Sequence, residues 1–262
     1  MVVNMDINIM LNNIEGIIYS ACDLFLTNGI NSFKHKSTND ILTDTDINMQ
    51  SYLIMEIKKL YPTISFISEE KDNQELSDEL TICIDPLDGT CNFSLGLTMF
   101  GVQMAIFENK DIIASIIYLP YYKKLFKTIK GNGVTLNGKR IFLNKDIKQT
   151  ESILLLSDFY PKIDISFEKQ LKLVHNLQSH FLKIRLFGAA CFDFATLATS
   201  KAQAYICYYN EIWDIAPGLL MIEELGMKYS GFYKPYKLND SALIVALNDE
   251  ILNDIKNTFF KI

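Results

Sequence analysis

The stretch that most constrains this chain lies at residues 81–90. Thr81-Ile82-Cys83-Ile84 is a short run of apolar and β-branched residues and reads as a buried strand. Asp85-Pro86-Leu87-Asp88-Gly89-Thr90 follows at its carboxyl end. Pro86 has a fixed φ and pushes Asp85 toward an extended conformation, so two carboxylates three residues apart sit on a stiff segment. Gly89 and Thr90 then offer backbone N–H groups where the chain turns. Acids for a cation beside amides for an anion suit a site for metal and phosphate together. The same residues also make an ordinary turn, with Pro presetting one position and Gly supplying positive φ. Taken alone, the stretch leaves both readings open.

A chain of 262 residues makes one large domain or two small ones, and 49% apolar residues suffice for a full core. The formal charge of −6 argues against the phosphate backbone of a nucleic acid as partner. A small anionic substrate stays compatible, because bound divalent cations reverse the sign locally. Cys22, Cys83, Cys91, Cys191 and Cys207 are odd in number and form no C-x-x-C pair. Reduced, mostly buried thiols are expected rather than a disulfide framework. Cys91 lies beside the central motif, but no histidine is near in sequence to activate it. Residues 1–6 show no basic region ahead of an apolar core, and no apolar run approaches the ~20 residues of a membrane span. The expectation is a cytoplasmic enzyme without membrane or nucleic-acid partners.

Taken in order, residues 6–27 predict an amphipathic helix, with Ile7, Met10, Leu11, Ile14, Ile17, Ile18, Ala21, Leu24 and Phe25 at three-four spacing and Asn28-Gly29 as its end. Residues 34–46 are polar. Their second half, Thr43-Asp44-Thr45-Asp46, reads as a helix start, with Asp44 or Asp46 as a capping acid. That helix runs to about Leu60, ahead of Pro62. A strand over 64–67 ends in Ser68-Glu69-Glu70, a second acidic element at a strand end, although polar Lys71-Asp72-Asn73 also suits a solvated loop. Residues 98–107 and 111–119 predict a hairpin turning at Glu108-Asn109-Lys110. A strand pair follows from 121. Residues 1–145 therefore read as a mostly antiparallel sheet carrying two helices. From 146 to 262 strands alternate with helices: strands over 152–157, 184–187, 204–209 and 243–247, and helices over 167–181, 189–200, 212–226 and 248–259. Asp214 follows the only tryptophan and reads as a helix N-cap, with Pro217 tolerated in the first turn.

These pieces together resemble the inositol monophosphatase family. The resemblance rests on Asp85-Pro86-Leu87-Asp88-Gly89-Thr90 with Asn92-Phe93, on Trp213-Asp214-Ile215-Ala216-Pro217-Gly218, on Glu69-Glu70, and on Thr43-Asp44-Thr45-Asp46, with weaker support from Arg185-Leu186-Phe187-Gly188-Ala189-Ala190. The motifs stand in the family's order from about residue 36 to 226. The resemblance implies an α/β, αβαβα sandwich with one catalytic unit between the 1–145 and 146–262 halves. It implies Mg²⁺-dependent hydrolysis of a small phosphate monoester, using two or three ions. One metal would take Glu69, Asp85 and the Leu87 carbonyl, and a second Asp85, Asp88 and Asp214, with the ions ~4 Å apart. A third, weaker ion would lie near Glu69. Asp46, Thr90 and Glu69 would orient the attacking water. Asp88, Gly89, Thr90, Ala190 and Asp214 would contact phosphate or substrate. Lys36 matches a lysine near the family's metal-water network, with Lys34 as a competitor. A homodimer is the family's common state.

Two departures bear on specificity. The family often has alanine where this chain has Pro217. Inositol phosphatases carry a glutamate several residues before the tryptophan, and Cys207 stands in that place unless a gap brings Glu211 there. Fructose bisphosphate, histidinol phosphate and 3′-phosphoadenosine 5′-phosphate are the alternative substrates within the family. The last ranks lower, because its branch usually has Glu-Phe where this chain has Asn92-Phe93. An alternative of another class is a regulatory binding protein that keeps the fold, since some bacterial members bind transcription machinery.

Overall fold

The computed structural model describes residues 6–26, 33–37, 40–69, 76–160, 165–238 and 240–262, with backbone alone for 33–37 and 40–42. Helix α1 (Ile7–Phe25) begins where the Asp6 carboxylate accepts the amides of Asn8 at 2.9 Å and Ile9 at 3.4 Å, two of the four orphan donors of a helix start. Met10, Leu11, Ile14, Ile18 and Ala21 bury one face at the expected spacing. The expected end at Asn28-Gly29 lies outside the described residues. The polar stretch before residue 44, for which the sequence suggested no strand, pairs as an antiparallel hairpin of β1 (Phe33–Ser37) and β2 (Asp40–Thr43). A hairpin held by backbone bonds needs no apolar alternation, so hydropathy gave no sign of it. Helix α2 (Asp44–Leu60) then starts at Thr43, with acids in its first turn and Lys58 and Lys59 in its last, as the helix dipole favours.

The first sheet holds β3 (Ser65–Ser68), β4 (Thr81–Asp88), β5 (Gly101–Glu108), β6 (Asp111–Leu119), β7 (Lys124–Ile129), β8 (Gly133–Leu136) and β9 (Lys139–Arg140), laid side by side in chain order. Only β3 and β4 run parallel; every other pair is antiparallel. A short helix, α3 (Thr90–Ser94), follows β4. The period-two alternation of β4 and β5 sends Ile82, Ile84, Val102, Met104 and Ile106 into a core with α1 and α2. Cys83, Ala105 and Phe107 face the other way and meet Ala216.

The second sheet is built from β10 (Ile153–Leu156), β11 (Lys183–Leu186), β12 (Ala204–Cys207), β13 (Lys228–Ser230) and β14 (Leu243–Ala246), in the order β11-β10-β12-β14-β13. The first three are parallel, and β14 is antiparallel to both of its neighbours. Strand β13 was not expected; three residues are too few to establish a period. Helices α4 (Phe167–Leu177) and α7 (Asp249–Phe260) cover the outer face of this sheet. Helices α5 (Ala190–Ala198) and α6 (Ile212–Glu224) lie between the two sheets. The layers therefore run αβαβα, as expected. Ile117, Leu119, Phe126 and Val134 of the first sheet share one core with Leu155, Ile206 and Ile244 of the second.

Candidate active site

Strand β4 continues through Asp88 rather than turning after Ile84. Asp85 pairs with Gln103 and Asp88 with Gly101, so three steps on β4 oppose two on β5 and the extra residue makes a bulge. Pro86 sits in that bulge, where a missing ladder amide is tolerated. Only Gly89, at φ 85°, makes the turn. A Cβ there would come within 2.8 Å of the Met99 carbonyl and 2.9 Å of the Ala189 Cβ, so glycine is required on two counts. Asp85 Oδ1 accepts the Leu87 amide at 3.0 Å. Cross-strand pairing puts Gln103 on the same face as Asp85. Its Nε2 donates to Asp85 Oδ2 at 3.4 Å and to Asp88 Oδ2 at 3.1 Å. The Cys191 amide, in the first turn of α5, also donates to Asp88 Oδ2.

Asp46 both caps a helix and belongs to this cluster. Its Oδ2 accepts the Thr43 amide at 2.8 Å and the Thr43 hydroxyl, while its Oδ1 lies 2.8 Å from the Thr90 hydroxyl. The Thr90 oxygen is also 2.9 Å from the Leu87 carbonyl. One hydroxyl proton serves one acceptor at a time, so Thr90 can turn between Asp46 and Leu87. Asp44 is exposed.

The start of α6 differs from expectation. Glu211, not Asp214, is the N-cap, and Asp214 is the third helical residue, with its Oδ2 accepting the Glu211 amide at 3.1 Å. Pro217 consequently lies in the second turn, where it cannot donate to the Trp213 carbonyl four residues back. Cys207, at the end of β12, is buried and its thiol donates to the Tyr209 carbonyl at 3.0 Å. Glu211 lies nearer solvent and accepts the Tyr209 hydroxyl. Asp214 neighbours both residues, and of the two only Glu211 carries a carboxylate.

The parallel register aligns Ser68 with Ile84, which brings Glu69, the next residue, level with Asp85. Burial holds the Asp85 carboxyl well above the usual carboxylate range, and the charges of Glu69, Asp88 and Asp214, all of its own sign, add to the rise. Burial also raises Asp88, against the backbone amides of Cys191, Ala190 and Gly89. Burial and then Asp88 raise Asp214. Among the described residues no three acidic, histidine or cysteine side chains close as a ligand set around one point. The carboxylates are neighbours of like charge, and Gln103 bridges Asp85 and Asp88 by donating to both. The donors are all hard oxygens, buried and mutually repelling, so their chemistry fits a small divalent cation. Ala190 is half-buried at the start of α5, beside Asp88. Glu70 lies outside the described residues, as do the side chains of Lys34 and Lys36.

One supporting residue was not singled out from sequence, Gln103; a single amide in the apolar run Val102-Gln103-Met104 was the available signal. Asn92, quoted in the motif without a role, also supports the site. Its Nδ2 lies 2.7 Å from both the Met99 and the Phe187 carbonyls, tying the turn after β4 to the segment ahead of α5. All five cysteines are unpaired, and only Cys91 is exposed.

A five-layer αβαβα fold with an acid cluster between its sheets defines the class: a phosphate monoester hydrolase. Residues 6–257 match the model of the inositol monophosphatase family, and the chain belongs to that family. Its relatives include an inositol monophosphatase of Dictyostelium discoideum, 29% identical over 197 residues that cover 74% of this chain and 72% of the relative. The Nus factor SuhB of Xylella fastidiosa is 32% identical over 193 residues, covering 73% and 69%. A solved Thermotoga maritima IMPase superposes with a TM-score of 0.84 over 97% of this chain and 96% of its own; at 21% identity that likeness bears on the fold alone.

Proposed function

We propose that this chain hydrolyses a small phosphate monoester, of the inositol-1-phosphate or sugar-phosphate kind, with Mg²⁺. The observation that carries the reading is Asp85, 1% exposed and surrounded by the like charges of Glu69, Asp88 and Asp214. Glu69, Asp85 and the Leu87 carbonyl would hold one ion, Asp85, Asp88 and Asp214 a second, and Glu69 would lie near a third, weaker one. Bound divalent cations supply Lewis-acid polarisation of the phosphate oxygens and a lower pKa for water. Asp46 and Thr90 orient the attacking water through the Thr90 hydroxyl, which is free to exchange acceptors, and Glu69 assists. Amides of Gly89 and Thr90 hold phosphate oxygens, and Ala190 borders the substrate. Water adds to phosphorus in line, the ester P–O bond breaks, and the products are inorganic phosphate and the alcohol. Glu211, rather than buried Cys207, faces the alcohol. The 1–145 and 146–262 halves contribute opposite walls, in a cytoplasmic homodimer. Fructose bisphosphate, histidinol phosphate and 3′-phosphoadenosine 5′-phosphate are the substrates to compare. Among the described residues no helix is long and apolar enough to cross a membrane.

The relatives named Nus factor SuhB favour a second reading, in which the chain is a regulatory binding protein that keeps the fold and binds transcription machinery in place of catalysis. Phosphate release from a panel of monoesters with and without Mg²⁺ tests the first reading. Stoichiometric capture of polymerase subunits with negligible turnover would favour the second.

A further inference from the structure

Gln103 is the neutral member of the acid cluster. It sits in the middle of β5, directly opposite Asp85, and is 0% exposed. Val102 and Met104 on either side of it turn into the core with α1 and α2, so Gln103 faces the helical layer between the sheets. Its Nε2 lies 3.4 Å from Asp85 Oδ2 and 3.1 Å from Asp88 Oδ2, which engages both amide protons. Its Oε1 is buried and has no hydrogen-bond partner among the described residues. The sheet itself offers none. The side chains that share this face are those of Gly101 and Ala105 on β5 and, across on β6, Ile117, and none of them can donate. Turning the amide over would set Oε1 against two carboxylates and leave both without their donor. A buried carbonyl left unpaired is costly, and where a native protein keeps one, a water or an ion is the usual reason.

We infer that Gln103 is a positioning residue for the divalent cation of this cluster: its Nε2 fixes the Asp85 and Asp88 carboxylates as ligands, and its Oε1 accepts a proton from water that the ion carries. This rests on the phosphatase reading above, through the cation alone. Mg²⁺ dehydrates reluctantly and brings several waters into a site with few protein ligands, and the protons of those waters need acceptors. A neutral amide meets that need without adding to a set of like charges, which a further carboxylate would do. One side chain on β5 also sets two acids of β4 at once, so their spacing does not depend on the bulge at Pro86 alone. Partners of this kind, one step out from the ion, orient its ligands and tune its affinity.

The test is Mg²⁺ binding to the full chain, measured by calorimetry without substrate. Gln103→Met keeps the volume and removes both functions of the amide, so its Mg²⁺ Kd should rise by about ten- to a hundredfold. A merely structural role would lower the melting temperature of the metal-free variant and leave the Kd where it was. A second measurement does not depend on the variant folding. In isotope-labelled parent protein, the side-chain amide signal of Gln103 should move on addition of Mg²⁺, with the midpoint found by calorimetry. A variant Kd within about twofold of the parent's, or an amide signal that stays in place while the parent binds Mg²⁺, overturns the inference and leaves the phosphatase reading standing. No Mg²⁺ binding by the folded parent overturns both.

Discussion

At the scale of single residues, Asp85 makes two demands that conflict without a cation. It must stay buried, and it must stay among three other carboxylates. Burial first, then Glu69, Asp88 and Asp214, hold its proton more tightly in the folded chain than in the unfolded one. A carboxyl raised in this way favours the fold at low pH. That contribution is withdrawn as pH climbs from the unfolded value near ~3.9 through the raised folded one. Metal-free Asp85→Asn should therefore melt higher than the metal-free parent at pH 8, by about 2–6 °C, and the gap should close toward pH 4. Equal melting temperatures at pH 8 would show that the repulsion is relieved in some other way. Thr90→Ala should keep the fold and lower kcat by about 10²-fold, because the hydroxyl shared by Asp46 and Leu87 is lost; circular dichroism and steady-state kinetics check the two halves of that statement. Asp85 and Asp88 stood out in the sequence as two acids flanking a proline at a strand end, a pattern that by itself suited a turn equally well until the resemblance was added. Gln103 did not, since its importance comes from a cross-strand register that only pairing reveals. Asp214 read from its own neighbours as a cap, and only the resemblance joined it to the other acids; it was misplaced by one turn because a capping box puts its acid three residues inside the helix.

At the scale of elements, the site depends on close approach between the end of β4 and the helices α5 and α6. Gly218 on α6 has the Phe194 ring of α5 where its Cβ would be, at 2.1 Å. Gly218→Ala should cost about 1–3 kcal/mol by overpacking, read as a lower urea midpoint with an unchanged slope. Gly89→Ala should be worse for activity than for stability, because it moves the turn that positions Asp88 and Thr90. A variant with full kcat would contradict the part assigned to that turn. Helices with long apolar periods were read correctly, as were hairpins with marked turns. The β1–β2 hairpin and β13 escaped notice for one physical reason: backbone pairing holds short polar strands together without leaving a side-chain pattern. The bulge at Pro86 escaped for a related one. Proline signals both a turn and a bulged strand end, and the neighbouring strand decides between them.

At the scale of the whole molecule, two sheets of different character press a helical layer between them, and the acids gather where that layer meets the first sheet. A cation that binds only the folded chain should stabilise it by mass action, about 2.7 kcal/mol at a hundred times its Kd. Melting in the presence of Mg²⁺ should accordingly rise by about 5 °C or more in the parent and by much less in Asp85→Asn. The layered architecture was legible from the order of strands and helices together with the motif resemblance. The choice between Cys207 and Glu211 was not, because it turns on which of them the end of β12 buries. The most direct test of the whole account is phosphate release from glycerol 2-phosphate and inositol 1-phosphate, with and without Mg²⁺, by the parent and by Asp85→Asn. The parent should release phosphate in a Mg²⁺-dependent way, and the folded variant should lose about 10³-fold of that activity. Full activity in Asp85→Asn, or no release from either ester by folded, Mg²⁺-loaded parent, would contradict it.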